Sequence, residues 1–176
     1  MSFMQRPLHH RSYPIGLGRS LSSVALALLI ALPAAGSARG ADQDNVIHLT
    51  QTPCQFLETE NVDHRFKSAA AADCESINSK TGAERLAKAN VITLKPGRYV
   101  FRVTNKNVPY ELGFWLRSKG YDWRNPVHKL TKTSVSGGGL ATGATKDYVA
   151  ELKPGEYEYS CPLNPTPNYR LVVTEG

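Results

Sequence analysis

Residues Leu94 to Thr104 read LKPGRYVFRVT, and this stretch decides the fold. Pro96-Gly97 signals a turn, and after it Tyr99, Phe101 and Val103 fall on alternate positions. A period of two marks a strand with one buried face. The device recurs at Leu152 to Tyr157 (LKPGEY), which runs on through Tyr157, Tyr159 and Cys161 with the same alternation. Two copies this far apart make two turn-plus-strand units of a sheet protein, not a stacked solenoid.

Further strands are expected on either side, at Val46 to Leu49, Val91 to Leu94, Glu111 to Leu116, Lys146 to Leu152 and Tyr169 to Val173. Gly137-Gly138-Gly139 and the Pro-rich run Pro162 to Pro167 read as loops. One stretch reads as helix. Thr81-Gly82-Ala83-Glu84 has capping-box spacing, and Leu86 with Ala83 and Ala87 gives a weak apolar side through Ala89. It belongs to an insertion, about residues 58–90, that follows the first strand. The expected fold class is therefore all-β, a sandwich with a short helical insertion.

The 176-residue chain begins with Arg6, Arg11 and Arg19 ahead of the apolar run Leu21 to Ala35 (LSSVALALLIALPAA). That run is too short to cross a bilayer comfortably, and the small residues Gly36, Ala38 and Gly40 offer cleavage sites after it. Residues 1–40 thus read as a secretory signal peptide and residues 41–176 as one domain. The expected location is periplasmic or secreted, with no membrane span after cleavage. The net charge of +6 comes from 21 basic and 15 acidic residues. Residues 1–40 hold four of the basic residues and no acid, so 17 against 15 leaves only +2. No nucleic-acid partner is expected from so even a balance.

Three cysteines, Cys54, Cys74 and Cys161, in an oxidising compartment imply one disulfide and one odd thiol. Cys54 and Cys74 enclose 19 residues; closing that loop restrains the unfolded chain by about 3 kcal/mol. Cys161 would then remain free.

The segment from Val91 to Val173, carrying LKPGRYVFRVTNKNVPYELGF and KDYVAELKPGEYEYSCPLNPTPNYRLVV, resembles the cupredoxins. The resemblance implies a Greek-key β-sandwich whose copper ligands come largely from the loop after Cys161. In this chain Cys161 stands at the copper cysteine, but Tyr110, Asn164 and Tyr169 stand at the first histidine, the second histidine and the methionine. Phenols and an amide are poor donors for a type 1 copper centre, which disfavours copper electron transfer. The chain is more closely similar to the N-terminal cupredoxin-like domain of EfeO-type periplasmic iron-uptake proteins. That likeness implies a copper or iron site made by Cys161, Glu111 and Cys54. It also allows a Cys54–Cys161 disulfide, so the pairing stays open. The implied function is an exported binding protein with a degenerate copper site, engaging a metal ion or a periplasmic protein partner; the alternative is a metal-free accessory module.

No nucleophile elbow, zinc-protease motif or phosphate-binding glycine loop occurs, and an enzyme is not expected. His48, His64 and His128 lack the paired spacing of metal sites. Tyr110, Trp115 and Trp123 read as core aromatics or as a patch for a partner.

Overall fold

The computed structural model describes residues 45–175. The expected signal segment, residues 1–40, lies outside them. Alternation builds the strands as the sequence suggests. In β4 (Gly97–Asn105) the side chains of Tyr99, Phe101 and Val103 are buried. On its other face Arg102 forms a two-pronged bond to Asp147, and Thr104 meets Thr145 on the neighbouring strand β7 (Thr145–Leu152). With β1 (Asn45–Thr52) and the two-residue β2 (Gln55–Phe56), these strands form a sheet of order β2-β1-β4-β7.

The second sheet has the order β3-β9-β8-β5-β6. Its strands are β3 (Ile92–Leu94), β5 (Leu112–Ser118), β6 (Ser134–Leu140), β8 (Gly155–Ser160) and β9 (Tyr169–Val173). The two Lys-Pro-Gly units open β4 and β8 in the same way. Gly97 and Gly155 hold φ of 151° and 148°, a region that side chains disfavour. Two residues on, the Tyr99 hydroxyl donates to the Lys95 carbonyl at 3.0 Å and the Tyr157 hydroxyl to the Lys153 carbonyl at 2.8 Å.

One core lies between the sheets. Phe101 from the first stacks on Phe114 from the second at 5.6 Å. Phe56, fully buried, presents its edges to Phe114, Tyr159 and Tyr169 at 5.6 to 6.2 Å. Such aromatic pairs add roughly 0.5–1.5 kcal/mol each beyond the area they bury.

The expected all-β Greek-key cupredoxin sandwich is corrected by this architecture. Both sheets are open, and each mixes orientations: β1 runs parallel to β4 and β3 parallel to β9, while the other pairs are antiparallel. Three helices intersperse the strands, α1 (Leu57–Glu60), α2 (Ala71–Lys88) and α3 (Pro126–Thr131), and about a fifth of the described residues are helical. The fold is mixed α/β. Alternation along a strand reports one buried face; it carries no information on whether the neighbour is parallel or whether the sheet closes.

Two element readings also change. The helix begins ten residues before Thr81, at Ala71, where the Asp73 carboxylate accepts from the Ala69 and Ala70 amides at 2.7 and 3.1 Å. Thr81 sits mid-helix, its hydroxyl bonded back to the Ile77 carbonyl. Gly137 to Gly139, expected as a loop, belongs to β6, where the absence of side chains lets Gly137 approach Gly113: a Cβ on Gly113 would lie 2.8 Å from the Gly137 oxygen.

Candidate functional site

The structure pairs Cys54 with Cys74 and leaves Cys161 a free, buried thiol. Asn164 organises this end of the core. Its amide nitrogen donates to the Thr52 carbonyl at 2.9 Å, and its oxygen accepts from the Cys54 amide at 2.9 Å and lies 3.1 Å from Cys74 Sγ. The Tyr110 hydroxyl bonds Ser68 at 2.5 Å and lies 3.3 Å from the same Asn164 oxygen. Tyr169, fully buried, donates its hydroxyl to Glu60. Tyr110, Asn164 and Tyr169, expected at copper-ligand positions, instead tie loops together.

The expected metal set is not assembled. Cys54 is spent in the disulfide, and Glu111 caps β6 by accepting the Gly139 amide at 2.8 Å. The Cys161 sulfur accepts the Gly113 and Asn164 amides at 3.4 and 3.2 Å. Burial pushes its thiol up, against the pull of those amides and of Gln51. No group of three histidine, cysteine or acidic side chains able to hold a metal occurs among the described residues. The expected function, an exported binding protein of cupredoxin fold built around such a site, is thus corrected: neither that fold nor a metal-holding cluster occurs among the described residues. A thiol so enclosed is inert. Cys161 is expected to react with a chromogenic disulfide reagent at least about 100-fold more slowly in the folded protein than in urea; equal rates would show the thiol to be open.

A different place has the makings of a site. Thr52, Pro53, Asp63, Arg65, Phe66, Lys67, Ser68, Lys106, Asn107 and Pro109 line an open cleft of about 380 Å³, within the range of small-molecule sites. Arg65 and Lys67 come from the segment after α1, and Lys106 from the turn after β4. None of these three cations has a side-chain partner among the described residues. Asp63 is the one acid in the wall, and its carboxylate already accepts the Arg65 amide at 2.8 Å. Thr52 also lines the cleft, with its hydroxyl oxygen turned inward, buried and without a hydrogen bond among the described residues. A buried polar atom left unpaired costs about 1–3 kcal/mol.

Both walls are held rigid. The buried Gln55 amide donates to the Val62 carbonyl at 2.7 Å, and its oxygen accepts the His64 amide at 3.1 Å. His64 stacks on Phe66 at 5.1 Å and bonds Glu60 at 2.8 Å, while Ser68 anchors the far end to Tyr110. On the opposite wall Lys106 donates its amide to the Gln51 carbonyl, and Asn105 accepts the Val108 amide. Arg65 and Asn107 take left-handed conformations, φ 55° and 66°, which cost a non-glycine residue about 1 kcal/mol or more. Strain of this kind, fixed by surrounding bonds, is common where a loop is shaped for binding.

Behind Phe66 lies a second cavity, about 310 Å³, lined by Glu60, His64, Phe66 and Arg85 among others. Its central charges are mutually satisfied. Arg85 grips both Glu60 oxygens at 2.9 and 2.7 Å and lies 4.8 Å over the Phe66 ring. Burial would push the Glu60 carboxyl up, but bonds from Arg85 and Tyr169, the Arg85 charge and a bond from His64 hold it below the usual carboxylate range. This cluster braces the first cavity rather than offering free charge.

No family model matches this chain, and no curated protein does either. The likeness to cupredoxins and to the EfeO-type domain is corrected by the open mixed sheets and interspersed helices described above. Sequence reasoning missed Arg65, Lys67 and Lys106 because a net charge near neutrality averages over them. A local signal did exist: His64-Arg65-Phe66-Lys67 is a basic and aromatic run, and Lys106 lies between two asparagines. Only the pairing of β1 with β4 reveals that the two belong together, by setting Gln51 opposite Asn105.

Proposed function

We propose that this chain acts outside the cytoplasm as a small, non-catalytic binding domain for an organic anion carrying two or more carboxylate or phosphate groups. The observation that carries the reading is the convergence of Arg65, Lys67 and Lys106, none with a side-chain partner among the described residues, on one cleft. Guanidinium and ammonium groups bind such anions through charge-assisted hydrogen bonds. Phe66, Pro53 and Pro109 supply apolar wall for the ligand's carbon skeleton. The disulfide and the signal-like residues 1–40 support an oxidising compartment.

Titration calorimetry with citrate at low ionic strength tests this reading. The expected dissociation constant is about 10–500 μM, roughly −7 to −4.5 kcal/mol, and it weakens with added salt because the cations are exposed. Arg65→Gly removes one cation while relieving the left-handed strain, so the variant should be as stable as the parent or more so. Its affinity should fall at least about threefold, and the triple variant with Lys67→Ala and Lys106→Ala should show no heat. Citrate binding that survives the triple change would place the anion elsewhere; no binding of citrate or of inorganic phosphate at millimolar concentration would end the proposal.

A further inference from the structure

The connection between β5 and β6 presents an apolar tip. Trp123, Val127 and Leu130 are 60, 59 and 89 % exposed, and α3, which carries the last two, buries no residue. Val127 and Leu130 are three apart and share one helix face. The tip is held in shape. Asn125 caps α3 by accepting the Val127 amide at 2.9 Å, and the Asp122 amide donates to His128 Nδ1 at 3.0 Å. Lys132 closes the base by donating to the Lys119 and Gly120 carbonyls, both at 3.2 Å. The apolar side chains are thus displayed by a built loop, not by a slack one.

The charges of this connection are mostly of one sign. Between residues 119 and 132 there are four cations, Lys119, Arg124, Lys129 and Lys132, and one acid, Asp122. Lys119 pairs with Glu156 and Arg124 lies 3.6 Å from Asp122, while Lys129 has no ion-pair partner among the described residues. We infer that this tip docks the protein on an anionic lipid surface. Tryptophan favours the headgroup level of a bilayer, aliphatic side chains reach the acyl boundary beside it, and a ring of lysine and arginine selects anionic lipid. A six-residue helix with no buried residue presents its apolar side chains to a lipid surface without needing a complementary protein groove. This inference is independent of the anion cavity, since no residue is shared between them.

Vesicle flotation tests it, using the protein without residues 1–40, whose own apolar run would otherwise bind lipid; every core residue named above falls between Leu49 and Val173. Partition into vesicles of phosphatidylcholine with 30 % phosphatidylglycerol is expected to exceed that into pure phosphatidylcholine by at least about tenfold. Trp123→Ser with Leu130→Ser should lower it at least about tenfold, and Lys129→Glu by about three- to fivefold. Both changes lie on exposed side chains, and an unchanged melting temperature confirms that the fold is intact. Equal partition into the two vesicle types, or full binding by the double variant, overturns the inference. So does a dimer that forms through the Trp123 face and persists when anionic vesicles are added.

Discussion

Replacing Arg85 with methionine is expected to lower the folding stability by about 3–5 kcal/mol. The Arg85 and Glu60 side chains are only 6 % and 2 % exposed, and the guanidinium spans both carboxylate oxygens while donating a further bond to the Cys54 carbonyl at 2.8 Å. Removing it leaves a carboxylate taken out of water with His64 and Tyr169 as its remaining partners. Breaking one side of such a pair costs more than the pair itself contributes, because the survivor's desolvation is no longer offset. The double variant Arg85→Met with Glu60→Gln should therefore be more stable than the single one, a coupling that a double-mutant cycle by urea denaturation measures.

The pH dependence has a definite sign. In the parent, Glu60 is held below its ordinary value of 4.5, so the unfolded chain binds the proton more readily. Its contribution is complete above that ordinary value and is lost as the pH falls through the folded one. In Arg85→Met only the bonds from Tyr169 and His64 still oppose burial, so the carboxyl titrates upward and protonation relieves the penalty. The stability gap between parent and variant should thus be widest at neutral pH and narrow below about pH 4.5. A gap constant from pH 7 to pH 3 would show that Arg85 acts through packing alone.

Loss of the Cys54–Cys74 bond carries the second large effect. Cross-linking a loop of this length restrains the unfolded chain by about 3 kcal/mol, a fall in melting temperature of roughly 10 °C for a domain of this size. Cys54→Ala with Cys74→Ala, compared with the parent by calorimetry, should show it. The loss should also be local. Helix α2 buries only Cys74, Gly82 and Arg85, and is fixed mainly by the disulfide, by Asn78 to the Pro165 carbonyl and by Arg85 to Cys54 and Glu60. Amide exchange in residues 71–88 should accelerate more than in β4 or β8. An unchanged melting temperature with undisturbed exchange would mean that the helix is held by other contacts.

That mode of attachment explains why α2 was hard to read. Its weak apolar side left Leu86 as the visible signal, and Leu86 does pack against the core, but the helix is also fixed by a sulfur bridge and by hydrogen bonds to residues far along the chain. Strands β4 and β9 fall where alternation puts them, since their buried residues Phe101, Val103, Leu171 and Val173 are large and regularly spaced. β6 escaped because Gly137 to Gly139 have no side chains to alternate, and α3 because it packs no residue into the core. The parallel pairs β1 with β4 and β3 with β9 join strands distant in sequence, a property of the assembled sheets rather than of any segment. Cys161, Tyr110, Asn164 and Tyr169 were visible as a group, and they do share one end of the core. Their chemistry differs from that expected, because the hydrogen bonds that use up Asn164, Tyr110 and Tyr169 come from residues no local pattern connects. For Arg65, Lys67 and Lys106 the difficulty is the reverse: the proposed site rests on their having no side-chain partner among the described residues.

The most direct test of the anion site is a ¹⁵N–¹H correlation spectrum of the protein titrated with citrate at low salt. Saturable shifts confined to the amides of residues 63–68 and to Lys106 and Asn107, absent in the triple variant, are the predicted result. Shifts that do not saturate, or that spread evenly over the exposed lysines and arginines, would contradict the account.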